Sequence, residues 1–216
     1  ELPETFRIYQ PSRVVAFGKQ DRLAEDFGAA VQIARDHGFD PIVRMPGGRA
    51  AVFLEETLAF SWTIQSSDPV RGIRERFGAA TAVITQALSR LGIPSATGEI
   101  PGEYCPGEFS IHHAGEIKLA GIGPRLARHA AHVGGVLVVG NTRATRDILV
   151  QTYRALAIDW DPSTVGSISD ITHGIRVPTV IDAILGVLGE QREIVPMSVD
   201  AETLARGREL APLHIP

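Results

Sequence analysis

The sequence predicts an α+β protein with a mixed, largely antiparallel sheet covered by helices. Three observations lead there. Short apolar strand-like runs come in succession before any long helix, at Phe6 to Tyr9 and Val14 to Phe17. One long helical period, Val70 to Leu91, then separates an early group of strands from a later one. The order of elements therefore lacks the strict strand–helix alternation of a doubly wound parallel sheet.

The first two strands are split by Gln10-Pro11-Ser12, a turn cluster. Phe27 to His37 follows as a helix with Ala30, Ile33 and Ala34 on one face and Gly38 as its stop. Pro41 to Arg44 reads as a strand running into Met45-Pro46-Gly47-Gly48, and Ala50 to Leu54 and Leu58 to Ile64 as two further strands of a meander. In Val70 to Leu91 the residues Val70, Ile73, Phe77, Val83, Ile84, Ala87, Leu88 and Leu91 recur at helical spacing, and Gly92 and Pro94 end it. A Gly/Pro-rich stretch from Pro94 to Gly107 precedes strands at Phe109 to His112, Lys118 to Ile122 and Gly135 to Val139. Helices are expected at Thr142 to Ala157, opening with a threonine cap, at Val177 to Leu188 and at Asp200 to Leu210. The 216 residues are read as a single domain, mostly helical from about 148 to 216.

Bulk properties exclude several classes of function. The formal net charge is -4 and like charges form no block, so neither nucleic acid nor an anionic membrane has an electrostatic footprint. No window approaches the roughly 18 apolar residues of a membrane span. The opening ELPETFRIYQ lacks a basic region followed by an apolar run, so no secretion signal is expected, and a single cysteine cannot form an internal disulfide. A cytoplasmic protein is the expectation.

Three places can carry chemistry. In Arg44-Met45-Pro46-Gly47-Gly48-Arg49-Ala50-Ala51-Val52 the glycine pair permits positive φ and close approach of backbone to a ligand, with free N–H groups able to cradle an anion; an ordinary hairpin turn is the plainer alternative. In Gly102-Glu103-Tyr104-Cys105-Pro106-Gly107 the only cysteine sits on a Pro/Gly loop, with Pro106 expected to hold Cys105 extended. Such a thiol is either a nucleophile or an incidental buried hydrophobe. In Gly115-Glu116-Ile117-Lys118-Leu119-Ala120-Gly121 the lysine amine leaves the strand opposite Ile117 and Leu119, toward a cleft or toward solvent. Adjacent His112 and His113 point to opposite faces of a strand, and no His-Glu-x-x-His run exists, so no metal site is expected. Nucleotide loops of the Gly-x-x-x-x-Gly-Lys-Ser/Thr or Gly-x-Gly-x-x-Gly type are absent from the sequence.

Taken together these stretches resemble the lipoate–protein ligase A and octanoyltransferase family, related in fold to biotin–protein ligases. The resemblance runs from RIYQPSRVVAFGKQD through RMPGGRAAVFLEETLAFSW to GEIKLAGIGPRLARHAAHVGGVLVVG, and DWDPSTVGSI resembles the end of the catalytic domain. It implies that Arg44, Gly47, Gly48, Arg49 and Ala50 shape an acyl pocket. It also implies that Lys118, with Gly121 in Gly-x-Lys-x-x-Gly, contacts the acyl carbonyl. The run EYCPGEFSI is similar to the Tyr-Cys-Pro-Gly motif of the octanoyl-(glycine cleavage H protein):protein N-octanoyltransferase branch, in which the cysteine carries the acyl group as a thioester.

The implied activity is transfer of an octanoyl or lipoyl group to a lysine of a lipoyl-domain protein, with Cys105 and Lys118 catalytic and no cofactor. The implied partners are glycine cleavage H protein and the E2 subunits of 2-oxoacid dehydrogenases; Arg125 or Arg128 would face such an acidic domain, and His112 or His113 would activate the thiol. The alternatives are an ATP- and Mg²⁺-dependent lipoate–protein ligase working through lipoyl-adenylate, and a catalytically silent binding homologue. Three departures stand out. Arg49 occupies the place of a third glycine, where it would narrow the pocket or meet a phosphate. Leu54 stands where His or Asp often follows the loop, and the helix that usually opens the family is not in the chain.

Overall fold

The computed structural model describes residues 4–127 and 129–216. Among the described residues nine strands form two sheets. The larger has six strands in the order β1-β5-β9-β8-β7-β6: β1 (Thr5–Tyr9), β5 (Thr57–Gln65), β9 (Ala130–Val138), β8 (Ile117–Ala127), β7 (Ile111–His113) and β6 (Ala96–Thr97). Every neighbouring pair in it is antiparallel. The smaller sheet has β2 (Val14–Phe17) between β3 (Asp40–Val43), which is parallel to it, and β4 (Ala51–Phe53), which is antiparallel. The expected α+β class with a mixed, largely antiparallel arrangement holds.

Each sheet has its own core. Helix α2 (Ile73–Arg90) lies against α5 (Val177–Gln191), and both cover the large sheet. Phe77, Val83, Ile84 and Leu88 of α2 meet Leu58, Trp62, Val133 and Leu137 of the strands there. Fully burying a side chain of this kind contributes about 1.5–3 kcal/mol. Helices α1 (Phe27–Asp36) and α3 (Thr142–Ala155) cover the small sheet, with Val15, Phe17 and Val52 against Ala30, Ala34, Ile148 and Tyr153. The period of two in β2 and β4 turns Val14, Ala16, Ala51 and Phe53 the other way, into a cavity between the sheets. Helices α4 (Ile168–Ile171) and α6 (Ala201–Leu210) complete the chain.

Several expectations need correction. β4 and β5 do not form a meander, because β4 pairs with β2 and β5 with β1 and β9. The long helix starts at Ile73 rather than Val70: Gly72 has φ +74°, and Val70 is 65% exposed. The cap of α3 is Asn141, whose side chain accepts from the N–H of Ala144, so Thr142 lies inside the helix. β8 and β9 form a far longer hairpin than the two short strands expected at Lys118 to Ile122 and Gly135 to Val139.

Candidate active site

Cys105 lies on the loop between β6 and β7, and its φ is +43°. This overturns the extended geometry expected before Pro106. A left-handed residue other than glycine costs on the order of 1–3 kcal/mol, so surrounding contacts must hold it. They come from both sides of its backbone. The Cys105 N–H donates to the hydroxyl of Tyr153 at 2.9 Å. The ammonium of Lys118 donates to the carbonyls of Tyr104 and Cys105, both at 2.8 Å. The sulfur accepts from Arg44 Nη2 at 3.1 Å and from the Arg49 N–H at 3.3 Å. Two converging donors, one cationic, suit a negatively charged sulfur, which is the nucleophilic form of cysteine.

Beneath the loop, Lys118 is completely buried, which rules out the solvated alternative on an open face. Its third partner is the equally buried Glu103 at 3.4 Å. Oε1 of Glu103 also accepts from the Gly107 N–H at 2.9 Å and the Ser110 hydroxyl at 2.7 Å, closing the loop on itself. Oε2 is buried with no partner. Burial pushes the Lys118 amine below the usual lysine range, and the charge of Glu103 opposes that shift. The Tyr104 ring lies 4.8 Å from the ammonium, adding a cation–π contact.

The glycine pair shapes the other side of the sulfur. Gly48 has φ +95°, and a Cβ there would stand 2.7 Å from both Cys105 Sγ and Arg44 Nη2, so no other residue fits. Gly18, just after β2, lets this loop sit down: a Cβ on it would lie 1.7 Å from the Gly48 carbonyl. Arg44 also donates to the Arg49 carbonyl at 2.8 Å. The Arg49 guanidinium turns away toward buried Asp21 at 3.4 Å. Burial raises the Asp21 carboxyl above the usual carboxylate range, opposed by the Gly18 N–H and Arg49.

The cavity between the sheets measures about 780 Å³. Arg44, Gly47, Gly48, Cys105, Lys118 and Gly121 all line it; Arg49 and Ala50 do not. Much of the remaining wall is apolar or small, with Ala16, Ile42, Phe53, Phe60, Gly123 and Val136, while Arg7, Gln10, Glu108 and His132 add polar groups. Of the histidines, His132 lines the cavity, whereas His112 meets the Gly115 N–H and His113 the Pro94 carbonyl. Arg125 pairs in register with His132 and is exposed; Arg128 lies outside the described residues. Leu54 is wholly buried in the core of the small sheet. Sequence reasoning missed Tyr153, Glu103 and Asp21, and weighed His132 only as a metal ligand. Glu103 lies inside the motif already singled out, while nothing local marks Tyr153, 48 residues beyond the loop it touches.

The profile of the lipoyl protein ligase A/B catalytic domain matches residues 1–189. Among curated relatives, the octanoyl-[GcvH]:protein N-octanoyltransferase of Bacillus velezensis is 28% identical over 207 residues, which is 90% of this chain and 71% of that protein. The enzyme of the same name from Geobacillus kaustophilus is 27% identical, over 94% and 68% of the two chains. The fold is shared with lipoate-protein ligase A bound with ATP, at a TM-score of 0.76 and 20% identity over 97% and 81% of the chains. It is shared too with a bi-partite lipoate protein ligase from Thermoplasma acidophilum, at a TM-score of 0.73 and 18% identity over 97% and 80%. With its two-sheet fold and its cysteine and lysine on one cavity wall, this chain belongs to the lipoyl protein ligase A/B catalytic domain family.

Proposed function

We propose that this enzyme moves an octanoyl or lipoyl group from one lipoyl-domain protein to a lysine of another through a thioester on Cys105. The observation that carries this reading is the Cys105 sulfur in the wall of an apolar cavity, gripped by the Arg44 guanidinium and the Arg49 amide. In the first step the thiolate attacks the acyl carbonyl of an amide on the donor lysine. The C–N bond breaks, and the donor amine leaves with a proton. In the second step a neutral acceptor lysine attacks the thioester, the C–S bond breaks, and the proton released from the new amide balances the one taken up. Lys118 is assigned the acyl carbonyl, whose developing oxyanion would take over the amine's contact with the Cys105 carbonyl. Stabilisation of this kind is often worth about 3 kcal/mol.

Gly47, Gly48 and Gly121, together with Arg44, would border the acyl chain, while Arg49 would act through its N–H on the sulfur and Ala50 only from behind the cavity wall. Glycine cleavage H protein as donor and 2-oxoacid dehydrogenase E2 subunits as acceptors fit this reading, as do a cytoplasmic setting and a transfer that would consume no cofactor. Among the described residues no helix is long and apolar enough to cross a membrane.

The decisive experiment incubates the enzyme with octanoylated H protein without ATP and weighs it intact. One octanoyl adduct is expected, and none on Cys105→Ala. Full transfer activity in Cys105→Ala sinks the covalent route. The ligase reading instead expects modification of an apo-lipoyl domain only with lipoate, ATP and Mg²⁺, with the thiol dispensable. It also asks Arg49 to meet a phosphate, and the Asp21 contact of that guanidinium speaks for the transferase. A silent homologue would bind neither octanoate nor lipoate in calorimetry.

A further inference from the structure

We propose that Tyr153 is the positioning residue of the Cys105 nucleophile, an inference that rests on the transfer reading above. Tyr153 is fully buried on α3, well away from the loop in sequence, and its hydroxyl has two partners. It accepts from the Cys105 N–H and donates to the Ala50 carbonyl, each at 2.9 Å. One hydroxyl thus ties the cysteine loop to the end of the glycine loop. These are the two segments whose spacing sets the distance from sulfur to the Arg49 amide.

The Cys105 backbone has little else to hold it left-handed. Its carbonyl is gripped by Lys118, and its N–H has Tyr153 as partner. Without the hydroxyl, that N–H and the Ala50 carbonyl both lose a buried partner, and Cys105 is free to relax toward the extended geometry that Pro106 favours. The sulfur then leaves its two donors. The ring is held independently by Trp160, whose centroid lies 5.2 Å away, so the hydroxyl can be removed with the packing kept.

Two measurements on Tyr153→Phe test this, with Trp160→Phe as the packing control. Alkylation of the single thiol by iodoacetamide needs no acyl substrate and reads the sulfur directly. The Tyr153→Phe rate should fall about tenfold, the equivalent of one lost buried hydrogen bond, while Trp160→Phe lowers the melting temperature and leaves the rate within about twofold. In octanoyl transfer Tyr153→Phe should lower kcat by a similar factor and leave KM for the octanoylated donor within about twofold. Equal alkylation rates in parent and Tyr153→Phe overturn the proposal, as does an equal loss of rate in both variants, which would make the role one of packing. If the parent protein takes up no acyl group, the transfer reading fails and the alkylation comparison still decides what holds Cys105.

Discussion

At the scale of single residues, Lys118 and Glu103 show how a buried charge is made tolerable. Burial works against the ammonium, and what offsets it is a full set of acceptors: two loop carbonyls and a carboxylate. The pair therefore acts as the floor on which the Cys105 loop rests. Lys118→Met leaves the Glu103 carboxylate buried and uncompensated, and should cost about 3–5 kcal/mol in urea unfolding. Adding Glu103→Gln should recover part of that loss, since a neutral amide tolerates the same site. A single variant as stable as the parent would show that the pair contributes nothing.

At the scale of elements, β5, β8 and β9 meet at His132, which bonds Thr63 at 3.1 Å and faces Arg125 in register. Burial, and then Arg125, hold its ring below the ordinary histidine value. The unfolded chain therefore takes up a proton on acidification before the folded one does. Stability is whole above the ordinary histidine range, near 6.5, and declines as pH falls through it toward the folded value. His132→Gln should flatten that decline. Urea midpoints taken from neutral pH downward would detect it, and parallel curves for the two proteins would exclude His132 as the cause.

The same elements show what was legible in the sequence. The α2 helix and the strands β2 and β4 could be read because a helical period and short apolar runs lie within a few residues. So could the loop carrying Cys105 and the strand carrying Lys118, since both are contiguous motifs. The hairpin of β8 and β9 was underestimated because Gly, Pro and Ala in GPRLARHAAHVGG blur any period of two. Which sheet β4 joins depends on long-range pairing with β2, and the left-handed turn at Cys105 on partners in β8 and α3. None of these is a local property.

At the scale of the whole molecule, two sheets with separate cores stand on either side of one cavity of about 780 Å³. Helices back each sheet on its far side, and the near faces carry Ala16, Ala51 and Phe53 opposite Gly123, Gly134 and Val136. An acyl chain bound there would be flanked by strands of both halves at once. The fit of such a chain is therefore a matter of how the two cores stand to each other, and not of any single side chain.

If Cys105 carries the acyl group as proposed, that arrangement would make the loaded chain a shim. Seated between two separately packed bodies, it braces one against the other, and each methylene it buries contributes about 0.8 kcal/mol. The charged enzyme should therefore melt above the free one, by a margin that grows with chain length until the cavity is full. Scanning calorimetry of the protein before and after octanoylation of Cys105 checks this, and an unchanged melting temperature would mean that the chain lies outside the cavity. If the margin is found, the reaction can be timed without any label, because each turnover stiffens the molecule and then lets it slacken.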